Sequence, residues 1–139
     1  MVKHSASAVW KGTVKEGNGK LTTKSKAFDN QPYSFKTRFE DGSGTNPDEL
    51  IATAHAGCFV MALSMMLGQE GFTPDSLEAT AEVTMDPDKL ELTSSHLTLK
   101  GSVPNIDKEK FEEIATKAKD NCPISKVLNL EISLDASLI

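Results

Sequence analysis

Residues 46–71 read NPDELIATAHAGCFVMALSMMLGQEG, and this stretch decides the class of fold. Asn46 is placed to cap a helix, Pro47 suits its first position, and Asp48 and Glu49 put negative charge in its first turn. The helix is expected to run to about Gln69 and stop at Gly71. Its second half, Phe59 to Leu67, is apolar nearly all round, the mark of a helix buried on every side. A chain of 139 residues has few elements with which to wrap such a helix. Two copies packing these helices in one shared core, a homodimer, is therefore the expectation.

On the N-terminal side, residues 6–15 alternate, with Ala8, Trp10 and Val14 on one face, as in a half-buried strand. Gly17-Asn18-Gly19 reads as a turn, and further strands are expected over about 20–28 and 33–39, with Arg38 at the end of the third. Asp41-Gly42-Ser43-Gly44 is a loop. On the C-terminal side, residues 77–85 alternate through Leu77, Ala79, Ala81, Val83 and Met85, and a hairpin partner is expected at about 92–103. Residues 107–121 have the spacing of a helix capped by Asp107. Phe111, Ala115, Ala118 and Cys122 share its apolar face, and Pro123 ends it. A last strand turns Leu130, Ile132, Leu134, Ala136 and Leu138 inward. The order βββ, α, ββ, α, β is α+β and one domain over residues 1–139, not a wound parallel sheet.

Composition narrows the function. With 38% apolar residues, 25% charged residues and a net charge of −5, the chain can bury a core and is not disordered. Fourteen lysines accompany a single arginine, Arg38, so neither nucleic acid nor an anionic membrane is an expected partner. The N-terminus leads into no apolar stretch of signal-peptide length, and the longest apolar run, around Cys58 to Leu67, falls short of a membrane span. Cytoplasm is the expected compartment. Two cysteines, Cys58 and Cys122, are too few for a secreted disulfide scaffold, and in a reducing compartment such a pair is catalytic, metal-binding or simply buried.

Each chemical candidate also has a plain structural role. Either cysteine alone packs well as a small hydrophobe. Together, at core positions on two helices, they could come within disulfide range. Arg38 is either a chance surface residue or a place where a fixed charge and a planar fork matter. Glu49 is also the N3 glutamate of a capping box begun by Asn46. His55 and Cys58, three apart on one helix, could form a Cys–His nucleophile for acyl transfer, and His55, His96 and the two cysteines hold zinc-ligand atoms without zinc-ligand spacing. Nothing reads as a glycine-rich phosphate loop, so no nucleotide is expected.

Three segments carry a family resemblance: Gln31-Pro32-Tyr33-Ser34-Phe35-Lys36-Thr37-Arg38-Phe39; Gly44-Thr45-Asn46-Pro47-Asp48-Glu49-Leu50-Ile51 with Ala54-His55-Ala56-Gly57-Cys58-Phe59; and Cys122-Pro123-Ile124-Ser125-Lys126-Val127-Leu128. Across nearly its whole length the chain resembles the osmotically inducible protein C family, which includes the organic hydroperoxide resistance proteins, and looks closest to the osmotically inducible branch. The resemblance implies an OsmC-like fold, with antiparallel sheets around a buried central helix in an intertwined homodimer. It implies a cofactor-free, thiol-dependent peroxidase that reduces organic hydroperoxides, and less well hydrogen peroxide, and draws on an external dithiol of lipoyl or thioredoxin type. By matching position, Cys58 would be the peroxidatic cysteine and Cys122 the resolving one, with Arg38 and Glu49 the charged pair beside Cys58. Residues 85–103 depart from the family pattern, which bears on substrate shape more than on chemistry.

The chemistry suits these residue types. The thiolate is the nucleophile, and a free thiol of pKa ~8.5 is only a few per cent thiolate at neutral pH, so a nearby cation raises the reactive fraction manyfold. Arg38 would supply that cation and donate hydrogen bonds to the peroxide and the departing alkoxide, held in place by Glu49. In a straight helix, however, the nine residues from Glu49 to Cys58 turn through roughly 180° and rise about 13.5 Å. Either the helix breaks near Gly57, or Arg38 and Glu49 serve the Cys58 of the other subunit, which is the expectation. The remaining classes are a small-ligand or stress-associated binding protein with structural cysteines, and the Cys–His hydrolase. The apolar Phe59, Met61, Met65 and Met66 would favour alkyl or aryl hydroperoxides if they line a pocket, or are ordinary core.

Overall fold

Alternating residues near the N-terminus pair as a three-stranded antiparallel meander of β1 (Ala6–Lys11), β2 (Asn18–Thr23) and β3 (Gln31–Tyr33). The computed structural model describes residues 1–139, which divide into two compact units, Met1–Leu50 and Ile51–Ile139. All three strands are shorter than the sequence pattern predicts. Gly12, at φ +94°, ends β1 early, so that Val14 falls in the following turn and is exposed. The chain leaves β2 at Thr23, whose hydroxyl accepts from Phe28 N–H at 3.0 Å and closes a turn over the residues expected to continue the strand. Gly19 sits opposite both Trp10 and Tyr33, and any Cβ there would strike both rings, which meet edge to face with centroids 5.4 Å apart.

A helix replaces the expected end of the third strand. Phe35-Lys36-Thr37-Arg38-Phe39 alternates like a strand, but Ser34 and Thr37 form a capping box and the five residues become α1 (Phe35–Phe39). Arg38 therefore stands on a helix, not at a strand end. Then α2 (Pro47–Gln69) begins as predicted, with Asn46 Oδ1 accepting from Glu49 N–H at 2.8 Å. It is continuous through Gly57, which removes the break that would have carried Glu49 toward Cys58. It ends in a Schellman motif: Phe72 N–H donates to Leu67 O, Gly71 N–H donates to Gly68 O, and Gly71 takes φ +85°, a left-handed conformation that favours glycine.

The second unit holds the core. β4 (Ser76–Asp86) and β5 (Glu91–Ser102) form the predicted hairpin, interrupted by a register shift between Thr84 and Met85. α3 (Lys108–Asn121), capped by Asp107, and the short α4 (Pro123–Val127) lead to β6 (Glu131–Leu138). β6 pairs with β5 in parallel, so this sheet is mixed, and the helical crossover supplies the length that a parallel connection needs. Pro123 does end α3, but as the first residue of α4 it also starts a helix that the sequence reading missed.

Phe59, Leu63 and Leu67 of α2 pack with Leu97 and Leu99 of β5 and with Phe111, Ile114, Ala115 and Ala118 of α3. Gly101 makes the close approach possible, since a Cβ there would meet the Phe111 ring. Within one chain α2 is buried along one stripe only, formed by His55, Phe59, Leu63 and Leu67, while Met61 is 75% and Met65 58% exposed. The expectation of burial on every side is thus not met by a single copy. By length and composition α2 could also cross a membrane, contrary to the estimate from the shorter Cys58–Leu67 run; its buried stripe makes it the core helix of this unit. Phe111→Ala is expected to cost about 3–5 kcal/mol, read as a lower denaturant midpoint in urea unfolding.

Candidate active site

Two helices converge on a pair of free thiols. Cys58 lies one turn after His55 on α2 and is half-buried, whereas Cys122 is completely buried at the junction of α3 and α4. The Cys58 thiol is near enough to the Cys122 thiol and to the backbone N–H of Ile124 for both to act on its ionisation. Cys122 caps both helices: its N–H donates to Ala118 O, and its Sγ accepts from Ser125 N–H at 3.3 Å. Burial pushes the Cys58 thiol above its ordinary pKa, the Ile124 N–H pulls it back, and the adjoining Cys122 raises it again.

Beside the thiols, the His55 ring is wholly buried with both nitrogens engaged. Nδ1 is 2.7 Å from Ser95 Oγ on β5, and Nε2 is 2.8 Å from Ser125 Oγ on α4. Ser125 Oγ is in turn 3.1 Å from Cys122 Sγ. Burial lowers the His55 pKa, so the ring is neutral at pH 7. With both nitrogens committed to serines, the Cys–His pairing that spacing allowed between His55 and Cys58 is not formed. His96, the other histidine considered for zinc, is held by Ser133 Oγ and, at 3.1 Å, by Asp135 Oδ2. No group of three or more His, Cys, Asp or Glu side chains converges as a metal site.

In the first unit, Arg38 makes a two-pronged ion pair, with Nε donating to Asp48 Oδ2 at 3.2 Å and Nη2 to Asp48 Oδ1 at 3.1 Å. Its guanidinium also lies over Phe39, 5.4 Å from the ring centroid. Asp48, which the sequence reading placed only as a first-turn acid, is thus a carboxylate on the arginine fork. Glu49 accepts from Thr45 Oγ1 at 2.8 Å and provides the N3 N–H of the helix cap. Arg38, Trp10, Tyr33, Phe35, Phe39 and Pro47 line a cavity of about 220 Å³, mainly apolar but with the guanidinium on its wall.

Sequence comparison places this arrangement. The pattern described as OsmC-like protein matches residues 40–137. The chain belongs to the OsmC-like family. It is 49% identical over 133 residues to the peroxiredoxin OsmC of Escherichia coli strain K12, covering 94% of this chain and 93% of that protein. It is also 28% identical over 120 residues to the organic hydroperoxide resistance protein OhrB of Bacillus subtilis strain 168, covering 84% of this chain and 88% of that protein. Among solved structures, an OsmC-like protein from Mycoplasma pneumoniae superposes with a TM-score of 0.74 at 16% identity, over 99% of this chain and 98% of that one. OhrB of Bacillus subtilis gives 0.66 at 22% identity, over 96% and 98%. These likenesses establish that the fold is that of the family.

The neutral His55 carries a pH signature. Its pKa is lowered in the folded protein, so below the ordinary value of 6.5 the unfolded chain takes up a proton that the folded chain resists. The stability due to burying the neutral ring is present above that value and is lost as pH falls toward the folded pKa. In urea unfolding, the stability lead of wild type over His55→Gln is expected to shrink as pH drops below 6.5.

Proposed function

We propose that this protein is a two-cysteine peroxidase of peroxide defence that reduces organic hydroperoxides, and hydrogen peroxide less well, to alcohols and water. The observation that carries this reading is the proximity of the thiols of Cys58 and Cys122, close enough to act on one another's ionisation, in two free cysteines that the sequence separates by most of the second unit. The names of the Escherichia coli and Bacillus subtilis relatives support the substrate class. The Cys58 thiolate attacks the terminal oxygen of the hydroperoxide, the O–O bond breaks, and the alkoxide leaves and is protonated to the alcohol. Cys58 is then a sulfenic acid. Cys122 condenses with it, releasing water and closing a disulfide. An external dithiol, of lipoyl or thioredoxin type, reduces that disulfide, and no cofactor takes part.

Activation of Cys58 is the role proposed for Arg38. The influences on Cys58 from within its own unit sum to a raised pKa, which disfavours the nucleophilic form. A guanidinium at the sulfur reverses that direction and can donate to the peroxide and the leaving alkoxide. Asp48 holds the fork in a defined plane; Glu49 at the same helix start is proposed to orient the guanidinium when the site is complete.

Because α2 is unbroken between Glu49 and Cys58, we place Arg38 and Glu49 of one subunit at the Cys58 of the other. The uncovered face of α2 supports this dimer. Ala54, Gly57, Met61, Ser64, Met65 and Gly68 are exposed at helical spacing, and nothing lies within 4 Å of a Cβ built at Gly57 or Gly68, so a second helix can approach closely.

A free-thiol titration before and after one equivalent of cumene hydroperoxide tests the chemistry. Wild type is expected to lose both thiols, Cys122→Ser to yield a trappable sulfenic acid, and Cys58→Ser to keep its remaining thiol. Two untouched thiols in wild type would favour a binding protein with structural cysteines. Arg38→Met is expected to slow the peroxide step at least tenfold, and a monomeric variant with full activity would dismiss the shared site.

A further inference from the structure

His55 is the one histidine in the core, and the peroxidase chemistry above makes no use of it. Its hydrogen bonds form a continuous line: Ser95 Oγ, His55 Nδ1, His55 Nε2, Ser125 Oγ and Cys122 Sγ, and the Cys58 thiol lies near enough to Cys122 to feel it. We propose that His55 and Ser125 form a proton relay to Cys122, with Ser125 touching the resolving sulfur and His55 acting through Ser125 as the group that holds the proton. This rests on the two-cysteine peroxidase reading and extends it to the second chemical step.

A neutral imidazole donates at one nitrogen and accepts at the other, and a serine hydroxyl does both, so the line can run in either direction. In one direction Cys122 S–H donates to Ser125 Oγ, Ser125 O–H donates to Nε2, and Nδ1–H donates to Ser95 Oγ. A proton shift along it moves the Cys122 proton to Ser125 as the Ser125 proton moves to Nε2. The result is a Cys122 thiolate that accepts from both the hydroxyl and the backbone N–H of Ser125, next to a His55 imidazolium. That thiolate attacks the sulfur of the Cys58 sulfenic acid, forming the S–S bond and breaking the S–O bond. The Cys122 sulfur is oxidised and the sulfenic sulfur reduced. The departing hydroxide takes a proton from the Ser125 hydroxyl, which regains one from His55 Nε2, so one water leaves and the imidazole is neutral again.

Burial makes such a relay useful. Cys122 has no exposed surface from which solvent could collect its proton, whereas a neutral imidazole two hydrogen bonds away is ready to accept it. The lowered His55 pKa keeps the ring in the accepting form at neutral pH. The groups that face the relay are Cys122 at the α3–α4 junction, Cys58 on the same helix as His55, and Ser95 from β5, so the two thiols are the titrating groups there. His96 neighbours Ser95 in sequence but bonds to Ser133 and Asp135 of β6.

The test separates this step from peroxide attack. Reduced protein is mixed with one equivalent of cumene hydroperoxide in a stopped-flow instrument. Sulfenic acid formation and loss of the second thiol are followed separately between pH 6 and 8.5. With the relay, the disulfide-forming rate of wild type is expected to be nearly flat from about pH 6.5 to 8, because the proton goes to His55 and not to hydroxide. In Ser125→Ala and His55→Gln the rate should fall more than tenfold at pH 6.5 relative to the sulfenic step and climb about tenfold per pH unit, as loss of the Cys122 proton to hydroxide requires. His55→Gln is the decisive variant, since an amide can replace the ring's hydrogen bonds but cannot hold the proton. Ser125→Thr, which keeps the hydroxyl, should restore the plateau.

If the variants fail to fold, the wild-type profile alone decides: a tenfold rise per pH unit overturns the relay. A flat profile that persists in His55→Gln assigns the histidine a structural role and overturns it too. Absence of any Cys58 sulfenic acid in wild type would defeat the peroxidase reading itself, and the relay with it.

Discussion

An imidazole buried in an apolar interior must find partners for both nitrogens, and meeting that demand ties three elements of the second unit together. His55 reaches from the core helix to the central strand through Ser95 and to the short helix after Cys122 through Ser125. Losing either partner would leave a polar group desolvated and unpaired, at a cost of about 1–3 kcal/mol. Each correct contact therefore specifies the other: α2 cannot slide along the sheet, nor α4 tilt away, without orphaning a nitrogen. The alignment of Cys58 with Cys122 follows, because each cysteine lies three residues from a member of this network, Cys58 from His55 and Cys122 from Ser125.

Much of the architecture was legible because its signals are local and periodic. The hairpin of β4 and β5, the apolar face of α3 and the alternation of β6 each repeat a pattern over eight or more residues, while the helix from Pro47 to Gln69 announces itself by its Asn46 cap and a long apolar run. The two five-residue helices were not legible in that way, since five residues cannot display a helical period. Their cues lay in single positions instead. Ser34 and Thr37 bracket α1 in a box closed by threonine in place of the usual glutamate, and Cys122-Pro123 opens α4 with a sulfur as its cap.

The candidate site divides in the same manner. The two cysteines, the lone arginine and the acidic helix start could be picked out by residue type and resemblance. The Asp48 carboxylate on Arg38 was hidden behind a sufficient alternative role, since any acid in a first helical turn is already accounted for by the helix dipole. Ser95 and Ser125 could not be found at all: they lie 40 and 70 residues from His55 in sequence, and only the folded chain shows that three unremarkable polar residues share one line of hydrogen bonds.

The sulfur of Cys122 is also an architectural atom, because it accepts the N–H of Ser125 in the first turn of α4. Under the proposed chemistry, a disulfide to Cys58 would draw on the same sulfur that caps α4. The proposed cycle of oxidation and reduction would therefore bear on the start of a five-residue helix as well as on a thiol. The segment that follows it runs directly into β6, one of the two edge strands of the mixed sheet.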